Sequence, residues 1–264
     1  MAVTEEIAWG DGSGDKIYLT ADAFGGNQTV LVSSDANAGA ARTKTVTFTA
    51  GNITQQLTVN QSAGTIQPVF YHALVFDGTA YIATSYVLPS GCSVHCSFGY
   101  ETEKKAQSIF LAGGGGGYLG VSIGGGSNST RRQMIPYYDS SSYLATNRYL
   151  NWSNKSYELF MTQKRFGWGN TAYTYTKGSA HPTGGLLVGT TGGSTPPFTG
   201  KMATLRVYGS DTANVTTAAG FDSYTPVATF RPCTYNGEAG LWYVEGSTFF
   251  GNTAGAGTLN VESE

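Results

Sequence analysis

The chain reads as all-β: a small antiparallel β-sandwich followed by a larger two-sheet jelly-roll sandwich. Three observations predict this. Short runs rich in Val, Ile, Thr, Tyr and Phe recur from residue 17 onward with period-two alternation, the repeat at which strand side chains change face. The gaps between them carry Gly, Asn and Asp, the chemistry of tight turns, and 37 of the 264 residues are glycine. No segment of helix length carries an apolar repeat of 3.6, and with only 12% charged residues the strong helix formers Glu, Lys and Arg are scarce.

The first strands are "KIYLTA", "QTVLVSS", "TKTVTFTA" and "QQLTVNQ" between residues 17 and 61, separated by "DAFGGN", "DANAGAA" and "GNI". Val46 and Phe48 share one face, and Ile53, Leu57 and Val59 continue that apolar set beyond a Gly51-Asn52 turn, which makes a hairpin with one wet face. Before them, "GDGSGD" gathers Asp11 and Asp15 but lacks the twelve-residue layout and terminal Glu of an EF-hand, so it reads as a polar turn. "SAGTIQPV" closes this region, and Pro68 ends any continuing strand. The boundaries are 1–64 for the small domain, 65–69 for a short linker and 70–264 for the large domain.

Beyond the linker come "VFYHALVF", "AYIATSYVL", "CSVHCSFGYE", "QSIFLA", "YLGVSIG", "MIPYYD", "SYELFMTQ", "AYTYTK" and "LLVGTT". "GKMATLRVYG", "VATFRPCTY", "GLWYV" and "STFFG" follow. So many short strands without a helix fit two stacked sheets. In the last stretch, Leu241–Val244 and Thr248–Phe250 flank an "EGS" turn as hairpin arms, fed by an Asn236-Gly237 turn, with Trp242 and Phe249 expected over the core.

Charge excludes some partners. A net charge of −2 and a pI near 5.9 give no electrostatic reason to bind nucleic acid or an anionic membrane surface. The pairs Lys104-Lys105 and Arg131-Arg132 read as solvated loops. The opening "MAVTEEIAWGDGSGDK" has no signal-peptide pattern, and no apolar run is long enough to span a bilayer. Synthesis in the cytoplasm without membrane insertion is the expectation.

Candidate chemistry is sparse. The three cysteines, Cys92, Cys96 and Cys233, imply no disulfide framework. Cys92 and Cys96 fall on one strand face as buried apolar residues, while His95 points the other way, so no metal site and no cofactor are expected. A retaining glycosidase needs two carboxyl groups about 5–5.5 Å apart. Glu101 and Glu103 come nearest to that in "GYETEKKAQ" but read as a solvated strand end, and no catalytic residue is assigned. The runs "AGGGGGYLG" and "SIGGGSN" lack the Lys-Ser/Thr of a phosphate loop and read as strand connections or close-packed backbone. The aromatic segments "PYYDSSSYLATNRYLNWSN" and "KRFGWGNTAYTYTKG" have the composition of a sugar-binding surface. They give Tyr138, Asp139, Tyr143, Asn147, Arg148, Trp152, Trp168 and Asn170 as candidate glycan contacts, with burial in the core or at a subunit interface as the competing role.

Three motifs carry family resemblances. "VLVSSDANAGAARTKTVTFTAGNITQQLTVNQSAG", with Arg42 opening a strand and Gln61 near its close, resembles a BACON module, an immunoglobulin-like domain found beside carbohydrate-active domains in gut Bacteroidetes and their phages. That resemblance covers about residues 7–64 and implies either glycan binding or a spacer. "ALVFDGTAYIATSYVLPSGCSVHCSFGY" and "FTGKMATLRVYG" are similar to the opening and late strands of laminin-G and concanavalin-like jelly rolls. The ending "VATFRPCTYNGEAGLWYVEGSTFFGNTAGAGTL" resembles that of tail or head fibre-type virion proteins of gut phages, the crAss-like group among them. Together these resemblances imply a non-enzymatic virion protein on head or tail, assembled with capsid, portal or tail components as a homo-oligomer. They leave open adhesion to host-surface or mucin polysaccharide. A capsule-degrading hydrolase and a bacterial glycan-binding accessory module are the alternatives.

Overall fold

A computed structural model describes residues 3–21, 30–37, 39–50, 53–64, 67–100, 107–124, 131–140, 149–151, 156–189 and 197–263. It is all-β, and it divides into two compact units, residues 1–67 and 68–264. No helix among the described residues is long and apolar enough to cross a membrane.

The first unit contains β1 (Val3–Ala8), β2 (Lys16–Ala21), β3 (Leu31–Ser34), β4 (Arg42–Ala50) and β5 (Ile53–Gln61). β1, β2 and β3 form an antiparallel sheet in chain order, and β4 pairs with β5 from Arg42↔Gln61 to Ala50↔Ile53. That register places the expected turn at Gly51-Asn52, outside the described residues. β1 has no counterpart among the strands read from sequence, because "VTEEIA" places two acids where apolar alternation would be looked for. Trp9, Ile17, Leu19 and Val46 are buried together, with Phe48, Leu57 and Val59 packed against them. Thr43, Thr45 and Thr47 face water from the other side of the hairpin, the pattern of a half-buried strand pair.

One arginine ties this unit together. Arg42 Nε donates to Gln61 Oε1 at 2.9 Å, and Nη1 donates to Asp11 Oδ2 at 2.8 Å. Nη2 lies 2.9 Å from Asp15 Oδ2 without hydrogen-bond alignment, and the guanidinium carbon sits 4.4 Å from the Trp9 ring centroid. Hydrogen bonds from Ser13, then Arg42, hold the Asp11 carboxyl well below the usual carboxylate range. The "GDGSGD" turn is thus built around an arginine cation.

The second unit comprises β6 (Val69–Phe70), β7 (Ala73–Asp77), β8 (Ile82–Val87), β9 (Ser93–Tyr100), β10 (Gln107–Ala112), β11 (Tyr118–Gly124), β12 (Arg131–Ser140) and β13 (Tyr149–Asn151). β14 (Tyr157–Met161), β15 (Arg165–Trp168), β16 (Thr171–Thr174), β17 (Gly185–Val188) and β18 (Thr199–Tyr208) follow. The last four are β19 (Ala228–Tyr235), β20 (Glu238–Tyr243), β21 (Thr248–Phe250) and β22 (Leu259–Glu262). A six-stranded sheet runs β13-β12-β11-β10-β17-β8. An eleven-stranded sheet runs β16-β15-β14-β9-β18-β19-β20-β21, with β6, β7 and β22 joined to it at its middle. Phe110, Val121, Met134 and Leu186 of the first sheet share one apolar core with Phe98, Met202, Leu205 and Phe230 of the second. Arg131 and Arg132 open β12 opposite Asn151 and Leu150, a ladder position in place of the expected loop.

Polar turns close the edges. In the "FDG" turn after β7, Asp77 Oδ1 accepts from the amides of Thr79 and Ala80 at 2.8 and 2.9 Å, and Oδ2 accepts from the amide of Thr258 at 2.5 Å. Slight burial opposes the charged form, but these bonds outweigh it and keep the carboxyl well below its ordinary range. The glycine run between β10 and β11 makes a tight turn in which Gly114, Gly115 and Gly116 all have positive φ. Gly117 is a close approach: a Cβ there would sit 1.6 Å from the Ala180 carbonyl oxygen.

Arg42→Gln is expected to loosen the first unit selectively, because Asp11 and Asp15 would face each other without their cation. Hydrogen exchange should quicken across β2 and β4 and stay unchanged in β18.

Candidate binding face on the eleven-stranded sheet

One strand, β18, positions the site. It pairs with β9 along one edge, while its other edge is shared: Thr199–Met202 bond to β7 and Leu205–Val207 bond to β19. At the junction Ala203 and Thr204 together oppose the single residue Ser97 of β9, a β-bulge between the pairs Met202↔Phe98 and Leu205↔Cys96. Gly200 and Met202 face the core before the bulge, and Leu205 and Val207 face it afterwards, so the alternation changes phase. Arg206 is thereby aimed outward.

A groove of about 540 Å³ opens there, on the face away from the core. Ser97, Ala203 and Thr204 floor it, Arg206 and Arg231 form one side, and Phe70, Tyr71 and His72 form another. The latter segment is fixed by its backbone: the Tyr71 amide donates to Pro232 O and the His72 amide to Glu262 O, each at 3.0 Å. The Arg231 guanidinium lies 3.9 Å from the centroid of the Phe70 ring, a cation–π contact that sets its plane. A second recess of about 180 Å³ continues past Ser97 toward Ser156 and Lys201, whose ammonium is 2.7 Å from a Glu262 carboxylate oxygen.

Aromatic rings extend the same face. Arg231 stands opposite Trp242 in the β19–β20 ladder, and Trp242 stands opposite Phe249 in the β20–β21 ladder, so all three side chains project outward. Tyr235 joins them, its ring centroid 5.3 Å from Trp242 and 5.4 Å from Phe249. The three rings are partly exposed. Gly240 lies beneath: a Cβ there would stand 2.7 Å from the Phe249 ring, so only glycine lets the ring lie down. The hairpin read from sequence has the expected arms, Leu241↔Phe250 through Tyr243↔Thr248. Its facing is the reverse of that expected, since Leu241, Tyr243 and Phe250 meet the core while Trp242 and Phe249 lie on the outer side.

The residues singled out from sequence lie elsewhere. Tyr138 is fully buried in the core and donates its hydroxyl to Cys92 O at 2.5 Å, so its ring offers no face to a ligand. Asp139 is buried as well; its Oδ1 is 2.6 Å from His181 Nδ1, and His181 Nε2 is 2.7 Å from Leu88 O. These bonds clasp the end of β12 to two connecting segments, which occupies the carboxylate with the fold. Trp168 is half-buried against Phe166 and Tyr173, and Asn170 is exposed in the turn between β15 and β16. Tyr143, Asn147, Arg148 and Trp152 lie outside the described residues, as do Glu101, Glu103, Lys104 and Lys105.

No cysteine thiol is exposed on this face among the described residues. Cys92 and Cys96 are buried in one core, and burial pushes both thiols up to about 12 and Cys233 up to about 11. Among the described residues no three His, Cys, Asp or Glu side chains gather into a metal-binding group. His95, on the outer face two residues before Ser97, is buried beneath Phe221, with ring centroids 5.5 Å apart and interplanar angle 15°. Neither ring nitrogen has a hydrogen-bond partner. Comparison with family models, curated proteins and solved structures finds no match for the chain.

Two outcomes check this geometry. Tyr138→Phe strands the Cys92 carbonyl and should cost about 1–3 kcal/mol in a thermal melt, without loss of any ligand bound on the outer face. Burial, and then Arg206, lower the His95 imidazole from its ordinary 6.5, while Glu158 and Asp222 act the other way. The unfolded chain therefore takes up a proton that the folded chain refuses, and stability should fall as pH drops below about 6.5 and be flat above it. His95→Phe, which keeps the stack on Phe221, should flatten the fall in Tm between pH 7.5 and 5.5.

Proposed function

We propose that the chain is a non-enzymatic virion structural and adhesion protein that holds host-surface or mucin polysaccharide on the outer face of its eleven-stranded sheet. In this reading the first unit is an immunoglobulin-like module of the BACON type and the second is a laminin-G-like jelly roll. Its place on a phage head or tail, among capsid, portal or tail components and as a homo-oligomer, rests on the resemblances of the two halves and of the closing strands.

The observation that carries the reading is the juxtaposition, on one rigid face, of the Tyr235–Trp242–Phe249 cluster and the groove with Arg206 and Arg231. A sugar ring presents a flat patch of C–H groups and a rim of hydroxyls. Partly exposed aromatic rings match the first, and guanidinium and hydroxyl groups match the second. Strands hold such groups more firmly than loops do, so little ordering entropy is lost on binding.

A glycan array checks adhesion. Binding is expected, and Trp242→Ala should weaken it at least tenfold, about 1.4 kcal/mol, with the melting temperature little changed. Trp168→Ala should leave affinity intact. Retained affinity in Trp242→Ala, or release of reducing ends from capsule by the wild-type protein, would sink the proposal. Antibody labelling at a fixed position on purified virions tests the assembly half separately.

A further inference from the structure

The groove carries information about the charge of its ligand, an inference that rests on the saccharide reading above. Arg206 is opposite Thr229 in the β18–β19 ladder, and Arg231 lies two residues farther along β19 on the same face. Sheet geometry puts such diagonal neighbours roughly 7–8 Å apart at the backbone, so two long side chains can reach one small group between them. Among the described residues neither guanidinium has a hydrogen-bond or ion-pair partner; Arg231 has only its stack on Phe70, which leaves the edge of the fork facing the groove. No Asp or Glu lines the groove itself. Glu262, in the neighbouring recess, is already held by Lys201.

Two arginines whose donors are unspent, beside a pocket without acids, form a receptor for an oxyanion. Each guanidinium offers parallel N–H donors spaced for the two oxygens of a carboxylate or sulfate, and charge-assisted bonds of this kind are about twice as strong as neutral ones. A neutral sugar's hydroxyls would accept from the guanidinium N–H groups but bring no charge, and the charge-assisted bonds would go unmade. We propose that the groove binds an acidic saccharide, its carboxylate or sulfate held between Arg206 and Arg231 while an adjoining ring lies on Trp242. The chain's overall charge of −2 supplies no long-range attraction for polyanions, so binding depends on this local pair.

The test is affinity electrophoresis of the full chain in gels containing hyaluronate for carboxylate, dextran sulfate for sulfate, or neutral dextran. Retardation is expected in one or both acidic gels, at least tenfold stronger than in dextran and weakening as salt is raised. Arg231→Gln, at an exposed position, should abolish at least nine-tenths of it with an unchanged melt. Arg206→Lys, which keeps charge but loses the fork, should give an intermediate loss. Retardation in the acidic gels that survives Arg231→Gln and Arg206→Gln overturns the arginine assignment. Binding of neutral glycans on the array with no retardation in either acidic gel overturns the charge inference and leaves the saccharide reading standing. No binding to any glycan in either format overturns both.

Discussion

The backbone ladder of Thr199–Tyr208 carries the larger unit, since this strand bonds to β9 on one side and to both β7 and β19 on the other. The two-against-one step at Ala203-Thr204 falls where the partner on the other edge changes from β7 to β19. The step has a chemical consequence. With strict alternation from Met202, position 206 would fall among the core residues, where a guanidinium could not be desolvated without a partner. The extra residue puts Leu205 and Val207 inside and Arg206 outside. The bulge thus sets both the core packing and the outward aim of Arg206.

The same logic runs outward through the sheet. β19 inherits its register from β18, β20 from β19 and β21 from β20, so the facing of Trp242 and Phe249 is fixed two and three strands away from β18. Phe230, Leu241 and Phe250 anchor that chain of registers on the core side, with Tyr86 and Tyr243 stacked around Phe230 at centroid distances of 5.4 and 5.2 Å. Burial of these rings is worth several kcal/mol in apolar area. It is what allows the opposite face to stay wet, with open donors and rings, and still be rigid.

The alternation of "ALVFD" and the arms around "EGS" were legible because local pattern and pairing coincide there: Leu241 does meet Phe250, and Asp77 does close a turn. Facing was harder. In "LWYV" and "FF" adjacent positions are all apolar or aromatic, so period two does not say which set is inside, and one step of register exchanges them. The core-facing role assigned to Trp242 belongs instead to Leu241 and Tyr243. Tyr138 and Asp139 fail as ligand contacts for a related reason. "IPYYDSSSYL" has the composition of a polar aromatic loop, yet residues 137–139 lie at the end of β12, paired with β11 in the six-stranded sheet, and the polar atoms of Tyr138 and Asp139 are bonded to Cys92 and His181. Arg206 and Arg231 carried no signal in sequence, being separated by 24 intervening positions and recognisable as a pair only once the β18–β19 ladder is known.

Polar side chains in this chain sort into two groups, and the sorting bears on function. Arg42, Asp77, Asp139 and His181 are hydrogen-bonded to neighbouring strands and turns, and each ties segments distant in sequence. Their chemistry is that of the fold. Arg206 and Arg231 are held just as firmly by backbone ladders but keep their donors open toward a concave surface. Two like charges held side by side repel, and no acid lining the groove offsets them. In the proposed reading an acidic saccharide brings the offsetting charge, and the Trp242 ring beside the groove takes its sugar ring.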